Sequence, residues 1–330
     1  PLSLHDALPI SVSGSTADLT GDGVADGAET TASIVNYGSK PALAIGSTST
    51  PITIGSFVPA AGSAAASGPA YGIVIRGSVN GAGVYDGKSA TGLQIGGKEY
   101  DGTVLQGVNV AVGLNVVGSV SASAYNANAT GLSIGAGSTV PLLQIGGAVS
   151  AAQSYSTYSA FPGVTVTAIN LESGASATTL NNTGTISASA NATNGQSASV
   201  YAVRDQSGSI STVLNEGVIY AAVTPQKLTD TITGKVAALD LSANTSGVTF
   251  TQKTNPTPNH AYGDTSGSTH TATTTLTAVT PSITGDILLG SGSNSVNLLN
   301  GTITGALDMG SGTGGSLVID NGATLTGALK

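Results

Sequence analysis

Apolar and polar residues alternate in short runs along most of this chain. "YGIVIRG" begins at Tyr71, "TGLQIGG" at Thr91, "VGLNVVG" at Val112 and "TGLSIGA" at Thr130. The shared pattern is Gly, then Ile or Leu, any residue, then Ile or Val. Its glycines, Gly72, Gly92, Gly113 and Gly131, are 20, 21 and 18 residues apart. The pairs Ile73/Ile75, Leu93/Ile95, Leu114/Val116 and Leu132/Ile134 have the period of a strand with one buried face. Ile169/Leu171 and Leu239/Leu241 keep the alternation without the glycine. A second motif, "NTGTISASA" from Asn182, returns as "NEGVIYAAV" from Asn215, 33 residues later, with Asn36-Tyr37-Gly38 as a weak earlier copy. Its Asn-x-Gly predicts a turn, since both residues tolerate positive φ. At the C-terminal end, Ile283-Thr284-Gly285 recurs as Ile303-Thr304-Gly305 and Leu325-Thr326-Gly327.

Periods near twenty residues predict stacked coils, each built from short strands and covering its neighbour's apolar face. With one coil per motif, about sixteen coils at ~4.8 Å give a rod of roughly 75 Å. The predicted fold is all-β, a right-handed parallel β-helix with irregular loop insertions. An antiparallel sandwich also uses short strands and Gly turns but does not require one motif at one spacing. Three stretches break the pattern: Ser56 to Ala70, a Ser/Tyr loop from Ala148 to Phe161, and the Thr/Pro-rich Gln252 to Pro281. The expected organisation is a leader over 1–10, an N-terminal segment over 11–55, coils over 56–251, an insertion or linker over 252–281 and further coils over 282–330. "PLSLHDALPI" fits nothing that follows and resembles a translated sequencing adapter. The new repeat begun just before Lys330 reads as an internal piece of a longer protein.

Composition supports a narrow core. Of 330 residues, 47 are Gly and three are Phe, with no Trp. Charged residues make up 8%, against roughly 25% in ordinary soluble domains, so the surface is largely Ser, Thr, Asn and Gly. A net charge of −8 argues against nucleic-acid binding. No apolar run approaches the length of a membrane helix. Without cysteine there are no disulfides, thiolate metal sites or cysteine nucleophiles.

The segments "ATGLSIGAGSTVPLLQIGG", "LNNTGTISASA", "YAVRDQSGSISTVLNEGVIYAAV" and "ITGDILLGSGSNSVNLLNGTITGALDMG" resemble passenger regions of bacterial autotransporters. The likeness runs from about Ala70 to Lys330. It implies a β-helix preceding a C-terminal outer-membrane β-barrel, the chain's expected partner, and display at or release from a Gram-negative surface. It also implies an adhesive or structural role, with cell-surface glycans or proteins as further partners. Signal peptide and barrel, both part of the family pattern, are not in this sequence. The lack of cysteine fits a passenger that crosses the outer membrane unfolded.

Candidate chemistry is sparse. "DLTGDGVADGAE" matches a twelve-residue calcium loop: Asp18, Thr20 and Asp22 at positions one, three and five, and Gly23 at the turn. The Val24 carbonyl follows at seven, Asp26 at nine and Glu29 at twelve. Thr20 stands where Asp or Asn is usual and no helices flank the loop, so a Ca²⁺ site and an ion-free acidic turn both remain open. "GSGSNSVNL" from Gly290 is similar to the calcium nonapeptide of β-rolls but has neutral Asn294 where that motif needs Asp. The alternative function is a polysaccharide-degrading enzyme on the same fold, which needs convergent carboxylates. The pairs available are Glu99 with Asp101 and Asp205 with Glu216. Solvated-surface roles suit both better, and no catalytic residue is assigned. His260 and His270 lie in the Thr/Pro-rich stretch, a poor place to hold a base.

Overall fold

The computed structural model describes residues 10–12, 32–56, 70–157, 163–255 and 279–330. Among these the chain is all-β, and nearly every strand pairs in parallel with a strand one coil away. Three stacks run side by side. Ile73–Ile75, Gly113–Val116, Leu142–Ile145, Thr179–Asn182, Thr212–Asn215 and Thr249–Gln252 form the first. Ser78–Gly83, Ser119–Tyr125, Ala148–Ser154, Thr185–Ala192 and Val218–Pro225 lead the second. Pro41–Ile45, Ala90–Ile95, Ala129–Ile134, Val164–Leu171, Ala198–Asp205 and Val236–Leu241 lead the third. The chain visits the stacks in that order and then starts the next coil. In the last two coils Ser295–Thr304 and Ser316–Thr326 each run on from the first stack into the second. This is the arrangement of a parallel β-helix.

The register corrects the coil length. The motif at Gly72, Gly92, Gly113 and Gly131 is not one coil apart, because successive copies alternate between two stacks. Ile73 pairs with Leu114 in the first stack, whereas Leu93 pairs with Leu132 in the third. A twenty-residue period is therefore half a coil here. True neighbours are farther apart: Leu114 lies on Leu143, Leu143 on Leu180, and Leu180 on Val213. At the C-terminal end the same period is a whole coil, with Ile283 on Ile303 and Ile303 on Leu325. The second stack holds nine layers among the described residues, from Ser33–Tyr37 to the end of Ser316–Thr326. At ~4.8 Å per layer that is roughly 40 Å, about half the expected rod.

Other boundaries move too. Ile10, assigned to the leader, begins a strand paired with Ile73. Ala148–Ser154, expected within a loop, is a strand whose Val149 and Ala151 are buried. Residues 256–278 lie outside the described residues. Thr249–Gln252 before them and Ser282–Thr284 after them belong to the same coil, and one apolar cluster runs from Leu43 to Leu307.

Columns of Ile, Leu and Val fill the core, and all eight residues of the Gly motif pairs, Ile73 through Ile134, are fully buried. Each contributes on the order of 1.5–3 kcal/mol by burial. One column changes character: Ile75, Val116 and Ile145 are followed by Asn182, Asn215 and Gln252, all 0% exposed. Asn182 Nδ2 donates to Asn215 Oδ1 (2.9 Å), and Asn215 Nδ2 donates to Gln252 Oε1 (3.0 Å). Gln252 Nε2 ends the chain on the Asn300 carbonyl (3.2 Å).

The Asn-x-Gly corner does not use the positive φ that both residues tolerate. Neither Asn182 nor Asn215 has positive φ, and neither do Gly184 and Gly217. Glycine is required for closeness. A Cβ on Gly184 would lie 2.0 Å from the Gly147 carbonyl oxygen, and one on Gly217 2.2 Å from that of Gly184. This corner brings backbone onto backbone, coil on coil. Asn36 sits instead on a second-stack strand, beside Gly81, so Asn36-Tyr37-Gly38 is not a copy of this turn.

Candidate functional site

The candidate calcium ligands Asp18, Thr20, Asp22, Val24, Asp26 and Glu29 lie outside the described residues, as do His260 and His270. Among the described residues no three His, Asp or Glu side chains cluster as a metal site. Asn294 is a turn residue. Its Oδ1 accepts from the Val248 amide (2.9 Å), and its Nδ2 donates to the carbonyls of Gly290 (2.9 Å) and Met309 (2.8 Å).

The two acid pairs are occupied separately. Glu99 and Asp101 lie in a small hairpin, where Gly97–Lys98 pairs antiparallel with Val104–Leu105. Lys40 reaches across to both, at 2.9 Å from Asp101 Oδ2 and 4.0 Å from Glu99 Oε2. The Lys40 hydrogen bond, then the Thr103 backbone amide, holds the Asp101 carboxyl well below the usual carboxylate range. Asp205 replaces an apolar residue in a third-stack column, stacked on Leu171, and is 2% exposed. Its oxygens accept from the amides of Ser207 (2.9 Å), Gly208 (3.0 Å) and Ile210 (2.9 Å) and from the Ser207 hydroxyl (2.5 Å). It closes the corner from the third stack back to the first. Glu216 stands at the opposite corner, beyond the first stack, and pairs with Lys253 (3.4 Å). Asp205 and Glu216 thus stand at different corners, while Glu99 and Asp101 share the Lys40 ammonium.

Two arrangements were not legible beforehand. On the third stack, Arg204 lies over the Tyr201 ring at 4.8 Å, while Lys235 sits 6.0 Å from the same ring and 2.9 Å from Asp240. Burial opposes ionisation of Asp240, but the Ser242 and Lys235 hydrogen bonds outweigh it together, so its pKa is lowered.

The second is a cleft of about 460 Å³ at the far end of the second stack, lined by Val84, Asp86, Tyr125, Tyr155, Ser156 and Thr157. At or just beyond the ends of three successive second-stack strands, Tyr is followed by a small polar residue: Tyr85-Asp86 after Gly83, Tyr125-Asn126 at the strand end, and Tyr155-Ser156 after Ser154. Asn126 holds the three turns together. It is fully buried at φ 47°, a left-handed conformation that Asn tolerates. Its Nδ2 donates to Asp86 Oδ1 (3.0 Å) in the preceding coil and to the Ser156 carbonyl (2.6 Å) in the next. The Ser156 amide returns a bond to Asn126 Oδ1 (3.0 Å). The recurring Tyr-polar pair was a usable signal.

Comparison with protein families, with curated proteins and with solved structures finds no match.

Proposed function

We propose that this chain is a passenger segment of a bacterial autotransporter, a non-catalytic adhesive rod displayed at or released from a Gram-negative surface. Its own C-terminal outer-membrane β-barrel would be its partner. The observation that supports this best is the outer side of the second stack. There the row Ser33, Ser78, Ser119, Ala148, Thr185 faces away from a column of half-buried Ile34 and buried Val79, Val120, Val149 and Ile186. The next outward row is Val35, Asn80, Ser121, Ser150 and Ser187. No charge interrupts either row. Hydroxyls on successive strands bond each other, as Ser78 Oγ does to Ser33 Oγ (2.9 Å). Such a surface offers many weak, uncharged contacts, which suits multivalent adhesion better than turnover.

The test is attachment. Bacteria displaying the chain on a heterologous barrel should bind host cells or abiotic surfaces more than bacteria displaying the barrel alone. Replacing Ser121, Ser150 and Ser187 by Glu should reduce attachment without changing the far-UV spectrum. Equal attachment with and without the chain would overturn the adhesive reading. Turnover of pectin, alginate or another acidic polysaccharide, abolished by mutating one acid pair, would overturn the non-catalytic one.

A further inference from the structure

We propose that the cleft between the turns carrying Asp86 and Tyr155 is a binding site for neutral oligosaccharides. The inference supplies a ligand class for the adhesive reading above and rests on it for its setting. Three features point to a sugar. Tyr125 and Tyr155 bring aromatic rings to one cleft, and Tyr125 is 46% exposed. Ring faces are apolar with a negative quadrupole and suit the C–H faces of a pyranose. Ser156, Thr157 and Asp86 place hydroxyls and a carboxylate on the same walls, the polar complement that a polyol's hydroxyls need. A volume of about 460 Å³ lies within the range of small-ligand pockets.

The cleft is also built in advance. Asn126 fixes Asp86 by one oxygen, and the backbone supports Asn126 from both sides: its amide donates to the Ser154 carbonyl (3.1 Å), and the Gly87 amide donates to the Tyr125 carbonyl (2.8 Å). The other Asp86 oxygen, Oδ2, is shielded from solvent and has no hydrogen-bond partner among the described residues. Among the described residues the cleft lining includes a carboxylate and no cationic side chain, in a protein of net charge −8. Uronic and sialic acids would meet like charge there, so the preference is for uncharged sugars.

The test uses the whole 330-residue chain, with tyrosine fluorescence and saturation-transfer NMR as readouts, since no Trp obscures the signal. Probes are maltotriose, cellotriose and mannotriose as neutral sugars, trigalacturonate as an acidic one, and tetramethylammonium as the cation that an aromatic-acid pocket could hold instead. At least one neutral trisaccharide should bind with Kd near or below about 1 mM, an affinity ordinary for a small open site. Tyr125→Ala should weaken it by about tenfold or more. Tyr125→Phe keeps the ring and should restore it, and Tyr100→Ala, in the distant hairpin, should leave it unchanged. Asp86→Asn should weaken the neutral sugar and narrow the difference from trigalacturonate. Melting curves exclude unfolding as the cause. No binding of any neutral probe, equal binding by trigalacturonate, or stronger binding of tetramethylammonium would each overturn the proposal. The two readings fail separately: this one by absent sugar binding in the purified chain, the adhesive one by absent attachment of the displayed chain.

Discussion

Asn182 and Asn215, 33 residues apart in sequence, lie one on the other in the core, with Nδ2 of the first donating to Oδ1 of the second at 2.9 Å. Both are completely buried. Asn215 passes the chain on to Gln252, and its Oδ1 also accepts from the Gly217 amide (3.3 Å). Three coils are thus pinned in register by side chains that bond only when correctly stacked. A slip of one residue would turn these amides away from one another.

Asn215→Ala removes the middle of this ladder and strands Gln252 Oε1. The expected cost is about 2–3 kcal/mol, from lost bonds and an unsatisfied acceptor together. Asn215→Asp should be worse, because it buries a charge and sets one carboxylate oxygen against the Gln252 Oε1 acceptor. Denaturant midpoints of the two variants against wild type check both the size and the order.

Leu114 lies between Ile73 and Leu143 and is fully buried. Leu114→Ala should cost about 2–5 kcal/mol through lost burial and the residual cavity. Leu114→Asp should cost more, and its loss of stability should ease at low pH as the carboxyl protonates. Equal stability of wild type and Leu114→Asp at neutral pH would contradict the register.

Gly184→Ala places a methyl carbon 2.0 Å from the Gly147 carbonyl oxygen, so the coils must separate or tilt at that corner. Gly195 is the control: its φ is +77° but nothing lies within 4 Å of an added Cβ. Gly195→Ala should cost only about 1 kcal/mol of backbone strain. Thermal melts should therefore rank Gly184→Ala well below Gly195→Ala, the reverse of what φ alone would suggest.

Acid should loosen the third stack at Asp240. Its pKa is lowered in the folded chain, so the linked stability is present above the unfolded value of about 3.9 and is lost as pH falls through the folded value. Lys235→Met removes the partner and should flatten that part of the pH profile. Melting temperature followed from neutral pH to about pH 2, across the carboxylate range, reads out the difference.

How much of this was written in the sequence can be judged from particular residues. The alternation in "GIVI", "GLQI", "GLNV" and "GLSI" determined the strands and their buried faces, because a strand's two-residue period is a local property of the chain. The scarcity of bulky and charged side chains determined a narrow, mostly uncharged rod. Which strand lies on which is not local. Leu93 and Leu114 carry the same motif twenty-one residues apart, yet they belong to different stacks, and only the closed coil decides this. The glycine of Asn-x-Gly was legible as a turn, but its reason, a neighbouring carbonyl where a Cβ would be, exists only once two coils touch. Most of the acids followed the same rule. Glu99, Asp101 and Glu216 were visible in the sequence, but their partners, Lys40 and Lys253, were supplied by distant chain segments, whereas Asp205 accepts from its own 205–210 turn, a local contact. Asp86, Tyr125 and Tyr155 are separated by about 30 to 40 positions in sequence and line one cleft because parallel stacking brings equivalent strand ends together every ~4.8 Å.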